Sequence, residues 1–92
     1  MTKSEADEFE LSVIQWVTNE RVKYGLTMEK LGSLAFPDNE NPMVKVRNLQ
    51  HQGRRMRLTD FCSFCQALEQ HPAGVLFFLW ETWKMKKDKP DK

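Results

Sequence analysis

Apolar residues along this chain of 92 residues recur at steps of three and four, the period of a helix with one buried face. No run alternates apolar and polar positions with β-branched enrichment, as a half-buried strand does. Phe9, Val13, Trp16 and Val17 mark a first helix. Ser4 is its expected cap, acid in the first turn opposes the helix dipole, and Gly25 stops it. Thr27 caps a second helix with Met28, Leu31, Leu34 and Ala35 on one side. After the turn-rich PDNEN, Asn41 and Pro42 form the cap and first position of a third helix, expected from Pro42 to about Gln52 with Gly53 as its stop. Its inner face is narrow, Val46 and Leu49, with Met43, Val44, Arg47, Gln50 and His51 around the remainder. Thr59 opens a fourth helix that buries Phe61, Phe64, Cys65 and Leu68 and breaks at His71-Pro72. Pro72 starts a fifth, expected to reach about Lys84, before a basic C-terminal tail over 85–92. The pattern therefore predicts one compact all-α domain of five short helices over residues 1–84.

Composition changes this picture little. Hydrophobic residues make up 40% and charged residues 29%, ordinary for a soluble globular domain of this size. The apolar stretch Ala73 to Trp80 is far shorter than a membrane span, and the acidic N-terminus does not read as a signal peptide. A soluble cytoplasmic protein without a membrane partner is expected. Cys62 and Cys65 share a helix face. The spacings to His51 and His71 suit no zinc site, so Cys65 is expected as a small core residue and Cys62 as its half-buried neighbour. The serines and histidines form no nucleophile motif, and the four glycines are scattered rather than gathered in a phosphate loop. Neither enzymatic activity nor a cofactor is expected, and no second domain offers a place for a small-molecule ligand.

Charge is more informative in its distribution than in its sum, a formal +1. Acid loads the N-terminus and base the C-terminus. Between them PMVKVRNLQHQGRRMR carries Lys45, Arg47, Arg54, Arg55 and Arg57 and no acidic residue. A helix fits the major groove of DNA, where arginine reads guanine bidentately and flanking lysine and arginine neutralise phosphates.

The order of parts resembles the lambda-repressor/Cro-like (XRE-type) helix-turn-helix family over residues Leu26 to Phe78. The resemblance is carried by Leu26-Thr27, Leu31-Gly32, KVRNLQHQG, the basic linker RRMRL, FCQAL and the proline-started HPAGVLFF. It implies a lambda-repressor-like fold and a double-stranded-DNA-binding transcriptional regulator, a repressor that occludes a promoter, of bacterial, plasmid or phage origin. Val46 and Leu49 match the buried positions of the family's recognition helix. Met43, Val44, Lys45 and Arg47 match positions that meet base edges or nearby phosphates, and Thr27 matches the cap whose helix start meets a phosphate. Gln50 stands where the family often has an acid. Arg47 is the expected base contact; Lys45, Arg54, Arg55 and Arg57 are expected at phosphates, with Gln50 and His51 in second rank. FPDNENP is longer than the family's tight turn by about four residues.

The segment HPAGVLFFLWETW is more apolar than one stripe of a surface helix requires. Part is expected to close the core near Trp16. Phe77, Trp80 and Trp83 are candidates for a homodimer or partner interface. The alternative function is a protein-interaction module of the same fold that acts through this aromatic helix and has lost base readout.

Overall fold

The computed structural model describes residues 1–51 and 55–88, and the side chain of His51 lies outside that description with them. Among the described residues the chain forms five helices and no strand: α1 (Lys3–Lys23), α2 (Met28–Ala35), α3 (Pro42–His51), α4 (Leu58–Ala67) and α5 (Pro72–Asp88). None of them is long and apolar enough to cross a membrane. The all-α expectation holds in element number and order, and the differences lie at helix ends.

Thr2, not Ser4, caps α1. Its Oγ1 accepts from the Glu5 amide at 3.1 Å and the Glu5 carboxylate accepts from the Thr2 amide at 2.8 Å. This reciprocal pair favours Glu three residues after the cap. Ser4 has the shorter Asp7 at that spacing, and Asp7 is drawn away to Lys3 and Arg55. Gly25, at φ 68°, ends α1, and the Leu26 amide reaches back to the Arg21 carbonyl at 2.9 Å. The Arg21 guanidinium then donates to the Leu26 carbonyl at 2.8 Å. Together these bonds set the direction in which α2 leaves.

Thr27 caps α2 through the Lys30 amide at 3.0 Å. The buried face of α2 is Leu31, Gly32 and Ala35, whereas Leu34, expected inside, is 48% exposed. The close approach of α3 selects this face: a Cβ on Gly32 would lie 2.7 Å from the Pro42 carbonyl carbon and oxygen. Only glycine admits that contact.

α4 begins two residues earlier than Thr59 suggested. Arg57 is its cap residue, and the Arg57 amide donates to the buried carboxylate of Asp60 at 3.1 Å. Its end also precedes His71-Pro72. Glu69 turns left-handed at φ 58°, and the Gln70 amide closes on the Cys65 carbonyl at 2.8 Å. This is the closure seen after α1, with glutamate where glycine is usual. α5 continues past Lys84 to Asp88, so residues 85–88 are helical rather than tail; 89–92, like Gln52 and Gly53, lie outside the described residues.

Two clusters make the core. One gathers Val17, Leu31, Ala35, Val46, Leu49, Phe64 and Leu68 around α2, α3 and α4. The other joins Val13, Phe61, Cys65, Val75 and Leu79 and holds α5 onto α1 and α4. Trp16 and Met56 pack against both. Cys65 is buried and Cys62 partly so, both free thiols as expected. Burial, and then the neighbouring Cys62, pushes the Cys65 thiol up to about 11.

Candidate nucleic-acid interface

The faces of α3 follow from its apolar spacing. Val46 and Leu49 are sealed in the core. Met43 and Arg47 lie on the opposite side in solvent, and Val44 is half-buried between the faces. The long connection before α3 is anchored rather than loose. The Phe36 ring packs edge-on against Phe64 at 5.2 Å, and the Phe36 carbonyl accepts from the Asn39 amide at 3.1 Å. The Asn39 side chain accepts from the Asn41 amide at 2.9 Å, and the Asn41 carbonyl accepts from the Lys45 amide at 3.1 Å. Six residues therefore reach from α2 to α3 without displacing α3 from Gly32.

The basic residues divide sharply. Lys45, expected at a phosphate, is turned inward with 22% of its side chain exposed. Its Nζ lies 3.3 Å from the Asp60 carboxylate and 4.8 Å from the centre of the Phe36 ring. It neutralises a buried carboxylate, which would otherwise be costly in this setting. Arg55 is held by α1: one guanidinium nitrogen donates to Asp7 at 2.6 Å and another to Glu10 at 2.8 Å. Glu10 also accepts from the Met56 amide at 2.9 Å. Lys3 and then Arg55 hold the Asp7 carboxyl below the usual carboxylate range. Arg57 approaches Asp60 at 3.8 Å, keeps most of its side chain in solvent, and lines a groove beside α1 and α5.

Gln50 is turned inward too. Its side-chain amide donates to the Thr18 hydroxyl at 2.8 Å, a tie from α3 to α1 that removes it from the outward surface. The Thr27 hydroxyl oxygen accepts the capping bond from the Lys30 amide. Arg47 alone among the described members of the cluster is exposed and makes no ion pair with a described residue. The expected Arg54 contact and the His51 side chain lie outside the described residues.

Of the aromatic candidates, Phe77 and Trp80 are exposed, but Trp83 is only 8% exposed. Phe9 wedges against Trp80 and Trp83 with ring centres 5.6 and 5.8 Å away, so Trp83 closes the core and is not a free interface residue. Phe78 and Met85 complete the exposed apolar surface of α5 instead.

Asp60 is the organising residue that the sequence pattern concealed. Its one local signal is its position three residues after Arg57, that of the acid in a helix cap. Its pairing with Lys45 crosses from α4 to α3. No protein-family description, curated protein or solved structure matches this chain.

Proposed function

We propose that this domain binds double-stranded DNA as a transcriptional regulator, with α3 entering the major groove and Arg47 reading a base. The observation that carries the reading is the outward face of α3, where Arg47 stands in solvent without an ion-pair partner among the described residues. A helix so placed offers a bidentate donor to guanine. The loop before α3 carries exposed Asp38 and Glu40, which repel phosphate. Docking therefore favours the middle and C-terminal half of α3, where Arg47 lies. Lys30, exposed beside the Thr27 cap of α2, supplies a phosphate contact next to that helix start. Met43 meets a thymine methyl group at the edge of the footprint. Lys45 and Arg55 support the fold through Asp60, Asp7 and Glu10 and contribute little to counterion release. The lambda-repressor-like character of the fold belongs to this proposal.

Fluorescence anisotropy with a randomised duplex pool, from low to physiological salt, tests it. The wild-type protein enriches particular sequences and weakens steeply with salt. Arg47→Ala loses about 1–3 kcal/mol of discrimination at one base pair. Lys30→Ala lowers the slope of log affinity against log salt by about 0.9, the share of one phosphate, while Lys45→Ala leaves that slope unchanged. An absence of binding at low salt, or an Arg47→Ala protein that enriches the same sequence as well as wild type does, overturns the reading. The exposed Phe77, Phe78 and Met85 on α5 support a second reading, a protein-interaction module working through that helix.

A further inference from the structure

A groove runs between the first half of α1, the segment leading into α4, and α5. Phe9, Val13, Met56, Leu58, Phe61 and Leu76 line it, and it holds a void of about 290 Å³. An apolar cavity of about 150 Å³ holds benzene, so the groove has room for one aromatic ring and a short chain. Its lining suits a ring in kind as well as in size. Phe9 and Phe61 offer aromatic surface, and the Met56 thioether adapts to a ring set against it. Leu58 stands largely in solvent at the mouth, an apolar side chain left in water where the groove opens. Three charged side chains also reach the groove, Glu10, Arg55 and Arg57, and they are not equivalent. Glu10 accepts from Arg55 at 2.8 Å and from the Met56 amide at 2.9 Å, and Arg55 donates again to Asp7 at 2.6 Å. Those two charges are matched. The Arg57 guanidinium meets Asp60 only at 3.8 Å and keeps 77% of its side chain in solvent. Asp60 already accepts from the Arg57 amide at 3.1 Å and pairs with Lys45 at 3.3 Å. The result is an apolar slot with one weakly held cation on its rim.

We propose that this groove binds a small aryl carboxylate, with its ring against Phe9, Met56 and Phe61 and its carboxylate on Arg57. A guanidinium takes a carboxylate through two parallel N–H donors, an arrangement that a neutral head group does not match. The apolar walls supply most of the affinity, and Arg57 supplies the preference for an anion. The place that a small ligand needs thus lies within the single domain, although the sequence pattern offered none. Met56 packs against both core clusters, so a bound ring touches a side chain that the two clusters share. The site does not rest on DNA binding, and its test uses no DNA.

Phenylbutyrate is the probe, titrated into the isotope-labelled full chain and read by NMR. With about twelve non-hydrogen atoms it saturates the groove at about millimolar concentration, and the shifts concentrate on Phe9, Met56, Leu58 and Leu76. Phenylbutanol keeps the ring but carries no charge, and it binds about tenfold more weakly. Arg57→Gln weakens phenylbutyrate by about the same factor and leaves phenylbutanol unchanged. Leu58→Ser weakens both probes by about threefold, through loss of apolar wall. The Arg57 and Leu58 side chains are largely in solvent, so both variants keep the melting temperature of the parent. The absence of a saturable shift, shifts centred elsewhere, or an alcohol bound as tightly as the acid overturns the proposal. So does an Arg57→Gln or Leu58→Ser protein that loses no affinity for phenylbutyrate. Groove signals that move with protein concentration alone mean that another chain fills the groove, and they overturn it too.

Discussion

Around Phe64 the chain is sealed. Phe64, Val17, Leu31 and Val46 keep no accessible surface, and α2 presses so closely on α3 that Gly32 has room for hydrogen alone. Around α5 the packing is more open. Val75 and Leu79 are buried but not sealed, and Phe77, Phe78 and Met85 remain in water on the same helix. The difference separates two uses of apolar surface. In the first region the inward apolar groups are sealed and hold the α2–α3 pair at one angle, while Leu34 and Met43 stay outside. In the second, only the inner side of α5 serves the fold, and Phe77, Phe78 and Met85 on its outer side stay exposed. A rigid helix pair suits recognition by a helix, and a spare apolar ridge suits association.

The strongest way to break this contrast is to open a cavity in each region. Phe64→Ala costs about 3–5 kcal/mol, because its sealed neighbours cannot collapse onto the space. Leu79→Ala costs less, about 2–3 kcal/mol, since its surroundings reach solvent. Urea unfolding of both variants checks the order, and equal costs would erase the distinction between the regions. Gly32→Ala follows, at about 1–3 kcal/mol, because the added methyl meets Pro42 backbone that can only shift as a whole. The same melts check it, and a neutral result would show that α2 and α3 are not held at a fixed approach.

Smaller effects sharpen the comparison. Glu69→Gly stabilises by about 0.5–1 kcal/mol, since glycine accepts the left-handed backbone at the end of α4 without a clashing Cβ. A higher urea midpoint is the expected reading. The smallest effect concerns pH. Asp7 is held below its ordinary range by Lys3 and then Arg55, and Glu5 is likewise lowered, chiefly by its bond to the Thr2 amide. A lowered folded-state value means that the unfolded chain binds protons first as acidity rises. The contribution is therefore present at neutral pH and is lost below about pH 4. Thermal melts from pH 6 to pH 3 show that loss in wild type, and Arg55→Ala shows part of it removed, with the Lys3 share remaining.

Much of the architecture was legible from period alone. Five apolar stripes at helical spacing, with Gly25, Pro42 and Pro72 as punctuation, predict the helices in order because burying one face is a local demand on each segment. Cap details were less legible, since Thr2 and Ser4 offer similar hydroxyls and the choice fell to which carboxylate was free to reach back. The basic cluster was legible as composition only. Lys45, Arg47, Arg55 and Arg57 look alike along the chain, and what separates them is Asp60 on another helix and Asp7 and Glu10 more than forty positions away.

The sequence by itself thus determined the helical content and the inner faces through Val46, Leu49, Phe61, Phe64 and Cys65. Only the tertiary structure decided that Gln50 faces Thr18, that Trp83 belongs to the core while Phe77 does not, and that Arg47 is left in solvent when its neighbours are paired. The reason is physical. Hydrophobic periodicity is local and repeats within a few residues, whereas an ion pair or a ring contact is chosen by whichever partner the completed packing brings within reach.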